Sequence, residues 1–114
     1  MEIEVTDEFL RSVKPIAKRY RSFNHDYQAL LNELEKNPNA GVDLGEGFRK
    51  VRMAISSKGK GKSGGARVIT FNYVECNGKL YLLYAYDKSE YDNIDITIIK
   101  EMVANLGIIS TRDI

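Results

Sequence analysis

The sequence predicts an α+β fold of order βααβββα: a small antiparallel sheet with an N-terminal helical hairpin and a C-terminal helix. Three observations carry this. Apolar residues recur at helical spacing up to Leu34, alternate in strand fashion between Phe48 and Asp87, and return to helical spacing from Ile96. Asn77-Gly78 separates two strand-like runs and suits a tight hairpin, whose central residues need positive φ. With 114 residues, 43% hydrophobic and 29% charged, the chain reads as one domain over 1–114. A domain of that size buries roughly 65% of its unfolded surface, enough for a self-sufficient core.

Each element has a local reason. Glu2-Ile3-Glu4-Val5 alternates polar and apolar and reads as a short strand. Thr6 caps the helix that follows, with Asp7 and Glu8 near the positive end of its dipole. The apolar face of that helix is Phe9, Val13, Ile16, Ala17 and Tyr20, and Pro15 removes one backbone donor where it can kink. A second helix starts at Asn24, carries Tyr27, Leu30, Leu31 and Leu34 on one stripe, and ends before Pro38. Gly41, Gly45 and Gly47 mark a turning connection. The short link between the helices predicts an antiparallel pair packed on one face of the sheet. Strands follow at Phe48 to Ile55, Ala66 to Cys76 and Lys79 to Asp87. The last stripe is Ile96, Ile99, Met102, Val103 and Leu106, with Asp95 as cap and Gly107 as stop.

Composition narrows the function classes. The acidic start Met-Glu-Ile-Glu-Val lacks the basic, then apolar, pattern of a signal peptide. The longest apolar stretch, Leu80 to Ala85, is far too short to cross a bilayer, so no membrane role is expected. A single cysteine, Cys76, allows no intrachain disulfide and favours a reducing, cytoplasmic setting. One His and one Cys lack the clustered spacing of a zinc site, and neither metal nor cofactor is expected.

Charge is the informative feature. The chain holds 17 Lys plus Arg and 16 Asp plus Glu, yet Gly47 to Val74 contains seven cations and no carboxylate. They are Arg49, Lys50, Arg52, Lys58, Lys60, Lys62 and Arg67. Such a local field suits a polyanion, with nucleic acid first. On the strand 48–55, Val51, Met53 and Ile55 can face the helices, leaving Lys50 and Arg52 opposite, about 6.6 Å apart, near the spacing of successive phosphates. An ordinary solvated sheet face would carry the same residues. The Gly/Lys run Lys58-Gly59-Lys60-Gly61-Lys62-Ser63-Gly64-Gly65 reads as a mobile loop whose backbone can approach a phosphate chain. Gly61-Lys62-Ser63 imitates the end of a P-loop, but Ser56 stands where the first glycine belongs and a strand follows, which excludes nucleotide binding. Arg67 opens the next strand, where a rigid fork suits a phosphate gaining charge during reaction. Alternation puts Tyr84, Tyr86 and Lys88 on one face of the third strand. Tyr86 there can stack on a base and Lys88 can touch phosphate, while Tyr84 reads as core.

Lys50-Val51-Arg52, Gly59-Lys60-Gly61-Lys62-Ser63-Gly64-Gly65-Ala66-Arg67 and Tyr86-Asp87-Lys88 together resemble the RelE/HigB-type toxins of bacterial toxin–antitoxin pairs. Leu34, Asn37, Pro38 and Gly41 fit the same family's hairpin end. The resemblance spans about residues 9 to 106 and implies a cytoplasmic growth inhibitor. Such a toxin enters the ribosomal 30S A site, cuts mRNA there without a metal, and is sequestered by a cognate antitoxin. It implies catalytic roles for Arg67, Lys50, Lys60 and Tyr86, and RNA contacts for Arg52, Lys58, Lys62 and Lys88. Of the C-terminal segment, where the family also places functional groups, only Arg112 is a candidate, and the match carries no role. The implied chemistry is attack of an RNA 2′-hydroxyl on the adjacent phosphate. His25, at the start of the second helix, lies away from the basic strands, so a lysine crowded by like charges, Lys50 or Lys60, or else Tyr86, is left as base. Arg67→Ala is expected to abolish cleavage and leave folding intact. ParE-type toxins share the fold and poison DNA gyrase instead, and a non-catalytic nucleic-acid-binding module is the third class.

Overall fold

The computed structural model describes residues 1–59, 61–73, 78–90 and 94–105. Its elements are β1 (Glu2–Val5), α1 (Asp7–Arg19), α2 (Phe23–Lys36), β2 (Val42–Gly45), β3 (Phe48–Met53), β4 (Ala66–Tyr73), β5 (Lys79–Asp87) and α3 (Ile96–Asn105). The α+β class stands as expected. The sheet runs β1-β5-β4-β3-β2, antiparallel except that β1 lies parallel to β5.

The ends of the elements follow from their residues. Thr6 Oγ1 accepts the Phe9 N–H at 3.1 Å and lies 3.3 Å from both the Leu82 and Leu83 carbonyls, tying the cap of α1 to β5. α1 runs through Pro15 to Arg19. α2 begins at Phe23, one residue before the expected start, after Ser22. Asp95 Oδ1 accepts the Thr97 N–H at 2.9 Å at the head of α3. Gly78 stands at φ +74, as a tight turn requires, while Asn77, Leu106 and Gly107 lie outside the described residues.

Two features correct the expected order. Val42–Gly45 is a further strand, paired antiparallel to β3 with an irregularity between Asp43 and Gly45, so among the described residues four strands separate α2 from α3. Both faces of the sheet are also covered. Phe9, Ile16, Phe23, Leu30 and Leu34 of α1 and α2 pack on Val51, Met53, Val68, Leu80 and Leu82. On the other face Ile99 and Val103 of α3 join Phe48, Ile69, Phe71, Tyr81 and Leu83. Burying each such side chain contributes about 1.5–3 kcal/mol, which pins α3 on the second face.

Candidate nucleic-acid interface

The ladder aligns three side chains in one row. Arg67 of β4 stands opposite Arg52 of β3 on one side and opposite Tyr86 of β5 on the other. The next row along the same face is Lys50, Ile69, Tyr84. Alternation turns both rows away from α1 and α2, as expected for Lys50 and Arg52. Farther along, α3 covers Phe48 and its neighbours, while Arg52 is exposed and Lys50 half-buried. Neither Arg52 nor Lys50 forms an ion pair with a carboxylate among the described residues.

Two arginines directly opposed across a ladder repel each other. The fold relieves this by withdrawing one of them. Arg67 is only 6% exposed, and its guanidinium donates to the carbonyls of Lys62 at 3.1 Å, Ser63 at 3.0 Å and Ala66 at 3.2 Å. Burial lowers its pKa, Arg52 lowers it further, and Tyr86 opposes. So high an intrinsic value leaves the fork charged regardless. Burial also pushes the Tyr86 phenol up, with Arg67 pulling the other way, so the ring keeps its proton at neutral pH.

The glycine–lysine loop is held at both ends, although the sequence suggested free motion. At its entry, Ser56–Lys58 forms a 3-10 turn. Asp26 of α2, buried, accepts the Ser56 N–H at 2.8 Å and its hydroxyl, and Ser22 Oγ accepts the Ser57 N–H at 2.9 Å. Lys58 turns inward, with its Nζ 2.8 Å from Asp87 Oδ1. At the exit, the Lys88 N–H donates to the Gly65 carbonyl at 3.1 Å. Lys62 pairs with Glu33 of α2 at 3.2 Å, both exposed. Lys88, just past the end of β5, is half-buried. Lys60 and Arg112 lie outside the described residues.

Of the expected set, the structure therefore brings together Arg52, Arg67, Tyr86 and Lys50 on one face. It sends Lys58 to a buried carboxylate and Lys62 toward α2. The sequence reading missed Asp87 and Asp26, which organise the loop. Asp87 is the only carboxylate of β5 and ends an otherwise apolar and aromatic run, which was the available signal. A groove of about 290 Å³ opens beside this end of β5, between Glu8, Ser12 and Arg19 of α1 and Tyr84, Tyr86 and Asp87.

Both buried carboxylates make stability depend on acid. Burial would raise each, but hydrogen bonds win. Ser56 and Ser22 hold Asp26 below its ordinary value, and Lys58, Tyr20 and Ser89 hold Asp87 well below the usual carboxylate range. A folded-state pKa below the unfolded one gives stability that is full above the unfolded value, about 3.9, and is lost as pH falls beneath it. Urea midpoints should thus drop as pH falls from about 4 toward 2, and the drop should be shallower in Asp87→Asn. Equal slopes for the two proteins would count against this assignment.

Fold and face together define a small α+β protein that gathers cations and a buried phenol on one end of a sheet. The family described as the RelE toxin of the RelE/RelB toxin–antitoxin system matches residues 9–111. The chain belongs to this family and is a toxin of a toxin–antitoxin system, with a cognate antitoxin as its partner. Among the described residues no helix is long and apolar enough to cross a membrane, and no group of three or more His, Cys, Asp or Glu is placed to hold a metal ion.

Proposed function

We propose that this toxin is a ribosome-dependent mRNA endoribonuclease acting in the 30S A site of cytoplasmic ribosomes. The observation that carries the reading is the Arg52–Arg67–Tyr86 row with Lys50 beside it. Arg52 and Lys50 hold the RNA phosphates, with Lys62, Lys60 and Lys88 adding to the grip. The 2′-oxygen attacks the adjacent phosphorus and the bond from phosphorus to the 5′-oxygen breaks. A 2′,3′-cyclic phosphate and a free 5′-hydroxyl result. Arg67 stabilises the charge that grows on the phosphoryl oxygens. Tyr86, protonated at neutral pH, donates toward the leaving 5′-oxygen or stacks on the cut nucleotide, and Lys50 or Lys60 takes the 2′-proton. The ribosome supplies the geometry of the scissile step, which a face lacking a histidine base needs.

Induced expression followed by mapping of mRNA 5′ ends tests this. New ends inside translated codons, in frame, are expected in wild type and should fall at least about tenfold when Lys50 and Arg52 are both changed to Ala. Growth arrest with DNA-damage signalling and no such ends would assign the protein to gyrase poisoning. Salt-sensitive RNA binding without any cut product would make it a non-catalytic binder.

A further inference from the structure

Lys58 and Asp87 form the most enclosed ion pair among the described residues, with side chains 8% and 2% exposed. The Asp87 carboxylate also accepts from the Tyr20 hydroxyl at 2.6 Å, Arg19 Nη1 at 3.0 Å, and the Ser89 N–H and hydroxyl at 2.9 and 2.7 Å. Its donors thus come from the end of α1, the loop entry and the turn after β5. The same lysine reaches the loop exit, with Nζ 3.5 Å from the Gly65 carbonyl. It also lies over the Tyr20 ring, 5.2 Å from the centroid. A phosphate cannot meet this ammonium without breaking the pair.

Asp87 sits between Tyr86 and Lys88, and its ladder partner is Ala66, the neighbour of Arg67. Successive residues of a strand face opposite ways, so Tyr86 looks onto the cationic row while Asp87 looks toward α1. A buried ion pair adds little net stability over apolar packing of the same shape, and what it supplies here is one fixed geometry. We propose that Asp87 is a positioning residue and Lys58 its clamp, not an RNA ligand. The pair closes the neck of the 58–65 loop and holds Arg67 and Tyr86 in their working pose. This rests on the RNA-cleavage reading for its effect on rate, and on geometry alone for the clamp.

The test compares wild type with Asp87→Asn, Lys58→Met and the double variant on mRNA-programmed ribosomes. Each single should lose about 10–100-fold in kcat with KM within about twofold, and the double should be no worse than the singles, since all remove one clamp. Amide exchange across 59–66 should speed up at least about tenfold in every variant, with the β3, β4 and β5 core unchanged. In binding to an RNA oligonucleotide, Lys58→Met should keep the wild-type salt slope, whereas Arg52→Ala should lose about one phosphate contact. A reduced slope in Lys58→Met, additive losses, or wild-type exchange in the loop would overturn the proposal. If Asp87→Asn does not fold, Tyr20→Phe removes a single donor and should show the same pattern at smaller amplitude; unchanged loop exchange and kcat there would overturn it equally. If wild type cuts no mRNA, the cleavage reading fails by itself, and exchange and salt slope still decide the clamp.

Discussion

Arg67→Ala should abolish mRNA cleavage, with a rate loss on the order of 100–1,000-fold, the usual effect of deleting one preorganised donor to a developing oxyanion. The sequence alone suggested that folding would be untouched. The structure changes that part. Two carbonyls of the loop, Lys62 and Ser63, and that of Ala66 at the start of β4 lose a charged donor, and Arg67 is buried on a ladder between β3 and β5. A stability loss on the order of 2 kcal/mol is expected, since water can replace some of those bonds. For a domain near 100 residues this is a fall of roughly 8–16 °C in Tm. Arg67→Lys separates the two effects. It keeps the charge but not the fork, so it should lose rate while recovering part of the Tm. Full activity in Arg67→Ala, measured on programmed ribosomes well below its Tm, would remove the residue from the mechanism.

Gly65→Ala should be strongly damaging for so small a substitution. A Cβ at this position would lie 2.1 Å from the Met53 carbonyl oxygen and 3.0 Å from the Ile55 nitrogen. Both are backbone atoms where β3 runs into the loop, so no side chain can swing aside. The strand ends must part, at a cost of about 3 kcal/mol, the upper end for overpacking. The Lys88 N–H to Gly65 bond and the Lys58 contact should be lost with it. Gly59→Ala is the control. Nothing lies within 4 Å of its Cβ, and only the left-handed φ of +72 resists, which costs about 1–2 kcal/mol. Urea midpoints for the pair check the ranking; equal losses would mean that close packing at the loop exit is unimportant.

Much of this was legible because it is local. The cap at Thr6, the stripe through Leu30 and Leu34 and the inward set Val51 and Met53 follow from spacing along one element. The residues that meet in the Arg52–Arg67–Tyr86 row could be named from motif and alternation, since register only had to keep them on one face. What failed was long-range or short in extent. β2 is four residues that include Val42, Asp43 and Leu44 and end on a glycine, too little for a periodic signal. The fate of Lys58 is set by Asp87, 29 positions away, and of Lys62 by Glu33 on α2. No pattern along the chain announces such pairings, so cations that look equivalent in sequence divide into those on the open face and those that build the loop. The placement of α3 on the second face was hidden likewise, because its stripe at Ile99 and Val103 fits either side.

The parallel pairing of β1 with β5 has a consequence for the order in which the sheet can assemble. Glu2 aligns with Lys79 and Val5 with Leu82, so β1 finds its ladder partner only after β5 has been made. During synthesis β1 and α1 wait beside an unfinished sheet until residues 79–87 have left the exit tunnel. Cations of β3 and the loop emerge earlier, but the row that needs Tyr86 does not. A nascent chain therefore has no Arg52–Arg67–Tyr86 row until β5 has emerged and paired with β4.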